Sequence, residues 1–374
     1  MKKVIVLGAG LIGKPMALDL AQNYSVTCTD INKDNLEAIP SSSGVRTVRC
    51  DFTAKSTLKK LIRPFDLVVI AVPGFMGYET LKTVIESGKN AADISFFNED
   101  PFKLNALARK KNVTVVVDCG VAPGMCNILA GYHNNTMKLK RYECLVGGLP
   151  VKREPPFEYK APFSPADVIE EYTRPARYIS NNKIVVTDAL EEIELVEFKE
   201  IGQLEAFATD GLRTLALTLK NVPDMKEKTL RYPGHAALMK AFRQTGLFSK
   251  DPVISDGKKI IPLHLVSSLL FPLWKFKKGE EDVTVMRVTL EGDKETYTYN
   301  LFDRYNSKTN TTSMARTTGY TCTAIASLIL ENNFRNKGVF APEHLGEDKG
   351  HFDFIIKYLA NRDVRYTLKV IALR

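Results

Sequence analysis

VIVLGAGLIG, residues 4–13, sets Gly8, Gly10 and Gly13 directly behind an apolar run and at the head of a helical pattern that continues to Asn23. Val4 to Leu7 has the composition of a buried strand. A second apolar run, Val26 to Thr29, ends on Asp30, about twenty residues further on. Strand, glycine turn, helix, strand and terminal acid form the dinucleotide-binding fingerprint in its required context. Gly8 permits the tight turn, Gly10 the approach of a pyrophosphate to the backbone, and Gly13 the close packing of helix on strand. Leu11 and Ile12 complete the turn at the helix N-terminus, whose free N–H groups and partial positive charge suit phosphate. Asp30 is placed to accept from the ribose hydroxyls and to repel a 2′-phosphate, so the expected cofactor is NAD, with NADP disfavoured.

The rest of residues 1 to 120 repeats the alternation. Strand-like runs at 45–49, 67–71, 92–94 and 113–117 are separated by helical stretches such as 78–87 and 102–111. This predicts an α/β fold with a doubly wound, mostly parallel sheet. Ligands of such sheets bind beyond the carboxyl ends of the strands. The residues there are Gly8, Asp30, Asp51, the segment Ala71-Val72-Pro73-Gly74, Phe96 to Asp100, and Asp118-Cys119-Gly120. Gly and Ala in Asp118–Gly124 would let a flat nicotinamide and a substrate lie against backbone, with Cys119 lining that pocket and no nucleophilic role assigned to it. Asp100 before Pro101 reads as a helix cap, because proline is favoured at the first helical position. Phe97, Glu99, Asp118 and Gly120 remain candidates for substrate contact or proton transfer.

Beyond Gly120 the pattern changes to prolines and alternating strands: 141–146, 184–187, 193–198, 283–290 and 296–303. A turn signal, Glu291 to Lys294, joins the last two. This predicts a second, α+β domain with an antiparallel sheet at 125–312, after a Rossmann domain at 1–124. The segment 313–374, helical from Met314 to Asn332, is expected to return to the first domain. In the second domain Arg213 and Arg231 could each hold a carboxylate through the guanidinium fork. His235 could titrate near neutrality and stands with Asp118 and Glu99 as a candidate catalytic acid–base group.

Composition narrows the class. The chain has 374 residues, 44% hydrophobic and 25% charged, with a formal net charge of +9. The lysines are dispersed and no basic arm accompanies them, so nucleic-acid binding is not expected. The six cysteines form no CxxC pair and read as reduced thiols of a cytoplasmic protein. No metal-ligand spacing, leader or bilayer-spanning run stands out.

The segments VIVLGAGLIG, DISFFNEDP, VDCGVAPGMCNILAG, FATDGLRTL, EKTLRYPGH and SMARTTGYTCTAIASLILE…GVFAPE resemble the saccharopine dehydrogenase superfamily, and within it the lysine 6-dehydrogenase-like members. The resemblance spans nearly the whole chain. It implies a Rossmann domain, a second domain that also mediates dimerisation (so a homodimer or higher homo-oligomer), and amine oxidation with a nicotinamide cofactor. Family carboxylate-binding arginines would map to Arg213 or Arg231. The saccharopine-forming reductases often carry NEIGLDPG where this chain has VDCGVAPG. That departure points to oxidative deamination of the ε-amine of the amino-acid substrate L-lysine. A saccharopine or carboxynorspermidine dehydrogenase-type condensation is the alternative, and a non-catalytic NAD-binding sensor is the alternative from another class.

Overall fold

The computed structural model describes residues 1–277 and 279–373. The chain divides into two compact units. The first comprises Met1–Thr136 and Ala315–Arg365; the second comprises Met137–Met314 and the chain from Tyr366 onward.

The first unit is built on a seven-stranded sheet in the order Gly338–Phe340, Thr114–Val116, Asn90–Asp93, Leu67–Ile70, Lys3–Leu7, Ser25–Asp30, Arg46–Arg49. All its pairings are parallel. The central strands are buried on both faces, which is why they read as unbroken apolar runs rather than alternations. Ile5, Leu7, Val68, Ile70, Leu81, Val84 and Val115 share one core cluster. The strand order reverses at Lys3–Leu7: the next two strands in sequence lie to one side of it and Leu67–Ile70 to the other. Gly8 therefore stands at the topological switch point of the sheet.

The seventh strand, Gly338–Phe340, comes from the returning C-terminal segment. A buried carboxylate ties that segment to the first helix, Gly13–Leu20. Asp19 accepts from Arg362 Nε at 2.6 Å, Tyr358 Oη at 2.8 Å and Thr323 Oγ1 at 2.5 Å. The last strand does otherwise. Tyr366–Ala372 pairs with Glu295–Arg304 in the sheet of the second unit, so the expectation that all of 313–374 joins the first domain is corrected for its final residues.

The second unit holds a nine-stranded sheet in the order Glu194–Phe198, Gly202–Ala208, Asp224–Arg231, Arg141–Pro150, Asp282–Glu291, Glu295–Arg304, Tyr366–Ala372, with the hairpin Ala176–Ser180/Lys183–Thr187 attached to Asp224–Arg231. It is mixed, not wholly antiparallel: Asp224–Thr229 runs parallel to Arg141–Val146. Two apolar clusters support it. One lies on the sheet around Leu149, Leu204, Leu230 and Val285. The other gathers Tyr159, Tyr172, Phe207, Met239 and Trp274 between helices Pro165–Thr173, His235–Gln244 and Pro262–Trp274. Among the described residues no helix is long and apolar enough to cross a membrane.

Candidate active site

The three glycines of the first turn have different surroundings. Gly8 has φ +102°, and a Cβ there would stand 2.3 Å from Ala71 O. A Cβ on Gly13 would stand 1.9 Å from Gly8 O. Gly10 meets nothing within 4 Å. The outer two are required by packing; the middle one keeps open the space where a pyrophosphate would approach the helix N-terminus. Leu11, Ile31 and Phe75 follow three strands at this same edge and stand exposed. They form an apolar rim suited to a flat ring system.

Asp30 ends its strand with both oxygens engaged. Ala9 N–H donates to Oδ2 at 2.8 Å, Asn35 Nδ2 to Oδ2 at 3.1 Å, and Asn32 N–H to Oδ1 at 2.8 Å. The carboxylate thus braces the glycine turn. Arg49, its register partner on the neighbouring strand, donates from Nε to Ile31 O at 3.0 Å and brings an exposed cation beside it. Asp51, just beyond, accepts from Thr53 N–H at 3.0 Å and Thr53 Oγ1 at 2.7 Å; these bonds hold its carboxyl below the usual range. Ala71, Val72 and Pro73 carry the chain from strand Leu67–Ile70 into helix Gly74–Glu86, where Pro73 is the N-cap residue.

The second loop, Asp118–Gly124, is tightly folded. Asp118 is buried at φ 53°. Cys119 N–H donates to Asp93 O at 2.9 Å, Met125 N–H to Gly120 O at 2.9 Å, and Asn127 Oδ1 caps Gly124 N–H at 3.0 Å. The Cys119 side chain is buried against Val116 O and Val117 O, and burial pushes its thiol well up, which keeps it protonated. Phe97 lies inside the core, edge-on to Tyr78 with ring centroids 5.7 Å apart. Glu99 is exposed, and Asp100 accepts from Phe102 N–H at 2.9 Å as a helix cap.

Arg213, Arg231 and His235 belong to the second unit. Arg231 is buried in an aromatic cage and already paired: Nη2 reaches Glu171 Oε2 at 2.6 Å, and Nε donates to Tyr172 Oη at 3.1 Å. Tyr172 Oη lies 2.9 Å from His235 Nε2, and His235 Nδ1 lies 2.9 Å from Phe157 O. With a carbonyl at Nδ1, the imidazole carries its proton there and accepts from Tyr172 at Nε2. Burial, helped by the charge of Arg231, pulls the His235 pKa down to about 3. The expected titration near neutrality is therefore corrected: this histidine is a neutral structural link. Arg213 is buried at φ 50°; the burial of Arg174, and after it the charge of Arg213, lowers the pKa of Arg174. The partners Glu171 and Tyr172 carry no sequence signal, because they come from a helix about sixty residues away.

Two family descriptions cover the chain. Residues 4–116 match the saccharopine dehydrogenase NADP binding domain, and residues 120–364 match the saccharopine dehydrogenase C-terminal domain. The chain belongs to the saccharopine dehydrogenase family. Its fold is that of an NAD(P)-binding oxidoreductase. The saccharopine dehydrogenase [NADP(+), L-glutamate-forming] of Saccharomyces cerevisiae is 23% identical over 91% of this chain and 94% of its own length. The alpha-aminoadipic semialdehyde synthase of Arabidopsis thaliana is 26% identical over 78% of this chain, and the mouse mitochondrial enzyme of that name is 24% identical over 67%. This chain spans about a third of those two relatives, 32% and 29%. A solved structure of the yeast saccharopine dehydrogenase superposes with TM-score 0.79 over the full length of both chains at 21% identity.

The expectation of NAD is overturned by these matches, since the matching domain is described as NADP-binding and the yeast relative is named for NADP(+). In the structure the Asp30 carboxylate accepts from three N–H donors of its own chain, and Arg49 is its register partner on the neighbouring strand.

Proposed function

We propose that this chain is an NADP-dependent oxidoreductase acting on the secondary amine of saccharopine. It would release L-glutamate and alpha-aminoadipic semialdehyde, or run the condensation in reverse. The observation that carries this reading is the end-to-end relation to the yeast enzyme, over 91% of one chain and 94% of the other. The Gly8–Gly13 turn supports it by holding a pyrophosphate at the switch point, while Arg49 takes the 2′-phosphate. Bound NADP supplies the hydride acceptor for the carbon attached to the amine nitrogen. The small-residue loop Gly120–Gly124 lets substrate and nicotinamide lie against backbone. Asp118, with Glu99 as the second candidate, assists proton movement at the nitrogen; water then adds to the imine and the C–N bond cleaves. Arg231 is committed to Glu171, which removes it as the ligand of a substrate carboxylate.

Oxidation of the ε-amine of lysine is the second reading, favoured by VDCGVAPG in place of NEIGLDPG. One experiment separates the two. The purified protein is given NADP with saccharopine or with L-lysine, and NADPH with L-glutamate plus the semialdehyde. NADPH formation with saccharopine and consumption with the pair is the expected result. Turnover with lysine alone would replace this reading with the second.

A further inference from the structure

GVFAPE, residues 338–343, is one of the segments that carry the resemblance, and the site described above gives it no part. Strand Gly338–Phe340 pairs in parallel with Thr114–Val116, and Val117 N–H donates to Phe340 O at 3.1 Å. Both strands therefore release the chain at the same edge of the sheet. One runs on into Asp118–Gly124, the other into the short helix Pro342–Gly346. Glu343, on that helix, is fully buried. A carboxylate is costly in such a place unless hydrogen bonds receive it. Its Oε2 accepts from Asn127 Nδ2 at 3.1 Å, and Asn127 is fully buried too. At its other end the amide reaches the loop: Asn127 Oδ1 accepts from Gly124 N–H at 3.0 Å and from Cys126 Sγ at 3.2 Å. Two glycines set the spacing. A Cβ on Gly131 would strike Glu343 O, and a Cβ on Gly346 would strike Ile128 O, so helices Met125–Thr136 and Pro342–Gly346 meet backbone to backbone.

We infer that Glu343 is a positioning residue for hydride transfer, acting through Asn127 on the loop Gly120–Gly124. This rests on the reading above that the loop receives the nicotinamide and the substrate. An amide can turn either end toward Gly124, and only its oxygen accepts the Gly124 N–H. An ionised carboxylate offers acceptors alone, so Glu343 draws Nδ2 to itself and turns Oδ1 to the loop. Asn127 is the third residue of its helix and reaches back to the residue before the first, which is half of a capping box. Gly124, at φ +138°, has no side chain to supply the other half. The last residue of the loop is thus held from outside, by an amide whose sense a distant carboxylate fixes. Hydride transfer is sensitive to such placement, since misalignment of about 1 Å costs roughly 100-fold in rate.

Reversing the polarity of the contact tests this. Asn127→Asp alone sets two carboxylates face to face. Adding Glu343→Gln returns a donor to that contact, while the new carboxylate still accepts from Gly124 N–H. With saccharopine and NADP, Asn127→Asp should lower kcat about 100-fold and leave NADPH affinity within about threefold, and the double variant should recover at least about tenfold of that loss. Hydrogen exchange of residues 118–126, read by mass spectrometry on the full chain without substrate, should be about tenfold faster in Asn127→Asp and return toward wild type in the double variant, with residues 4–13 unchanged. A merely structural pair would lower the urea midpoint and leave the kcat of the folded protein as it was. That result, unchanged exchange at 118–126, or a double variant no better than Asn127→Asp would each overturn the assignment. The exchange measurement keeps the two readings apart. A wild type silent with saccharopine would sink the proposed reaction, and exchange at 118–126 would still decide whether Glu343 holds the loop.

Discussion

Gly10 and Gly13 are three residues apart in one motif, yet their substitution should fail in different ways. Gly13→Ala drives a methyl into Gly8 O and should destabilise the fold by about 2–3 kcal/mol, because overpacked backbone cannot give way. Gly10→Ala enters open space and should change stability by no more than about 0.5 kcal/mol. It should nevertheless weaken NADPH at least tenfold, since the methyl takes the volume of the approaching phosphate. Urea unfolding and NADPH fluorescence titration read the two effects separately. Equal stability loss in both variants would show that Gly10 too is a packing glycine. Arg49→Ala should weaken NADPH at least tenfold while changing NADH affinity less than threefold. A parallel loss of both would remove Arg49 from 2′-phosphate recognition. The residue types of the fingerprint were legible in sequence. The hydrogen bonding of Asp30 was not, because Ala9, Asn32 and Asn35 become its donors only once the turn is folded.

Helix Ser313–Leu330 shows how an element depends on a distant residue. Its first N–H groups are received by Asp282 from the strand Asp282–Glu291: Ser313 N–H donates to Oδ1 at 2.6 Å and Met314 N–H to Oδ2 at 3.0 Å. Ser313 Oγ in turn donates to Asp303 Oδ2 at 2.7 Å. Asp282→Ala leaves those buried donors without their acceptor and should cost about 1–2 kcal/mol, measured by urea denaturation. A change under about 0.3 kcal/mol would mean that the cap is redundant. The helix itself was expected from its apolar pattern between Met314 and Asn332. Its cap was not, because the acid lies about thirty residues upstream on a strand. The strands Ala176–Ser180, Gly202–Ala208 and Asp224–Arg231 escaped the sequence pattern for a related reason. Asp224–Arg231 carries charged side chains at Lys226, Glu227, Lys228 and Arg231, and partners from a loop, a strand and a helix, Glu192, Glu194 and Glu171, receive Lys226, Lys228 and Arg231.

Across the chain, buried histidines set the response to acid. Burial depresses His235 to about 3 and His133 to about 4, against about 6.5 when unfolded. Above pH 6.5 both are neutral in either state and their contribution is complete. Below it the unfolded chain takes up protons that the folded chain refuses, so stability falls as pH drops toward 4. At pH 5 each histidine accounts for about 2 kcal/mol. Asp282 opposes them. Burial raises its carboxyl to about 6 despite the two backbone donors, so the folded chain holds a proton that the unfolded chain has lost, and its contribution grows as pH falls through 6. The net loss between pH 7 and 5 should be about 2–3 kcal/mol, read as a lower urea midpoint. His235→Gln should shrink that drop. An unchanged midpoint from pH 7 to 5 would contradict the neutral, buried assignment.

The first 120 residues declared their architecture because a parallel sheet buried on both faces imposes continuous apolar runs, and a phosphate turn imposes glycines at fixed spacing. Both are local demands, met by neighbours in sequence, and residue order alone was enough to establish them. The late return of the chain was foreseen only in outline. That Gly338–Phe340 adds a parallel strand to the first sheet while Tyr366–Ala372 closes the edge of the second depended on which free edge each segment could pair with. The roles of Arg231 and His235 were decided in the same way. An arginine and a histidine bracketing a Pro-Gly turn look like ligand contacts, and burial beside Glu171, Tyr172 and Trp274 turned them into one interior network. Charge in a low-dielectric interior must find its partner within a few ångströms, and only the tertiary fold determines which distant side chain stands there.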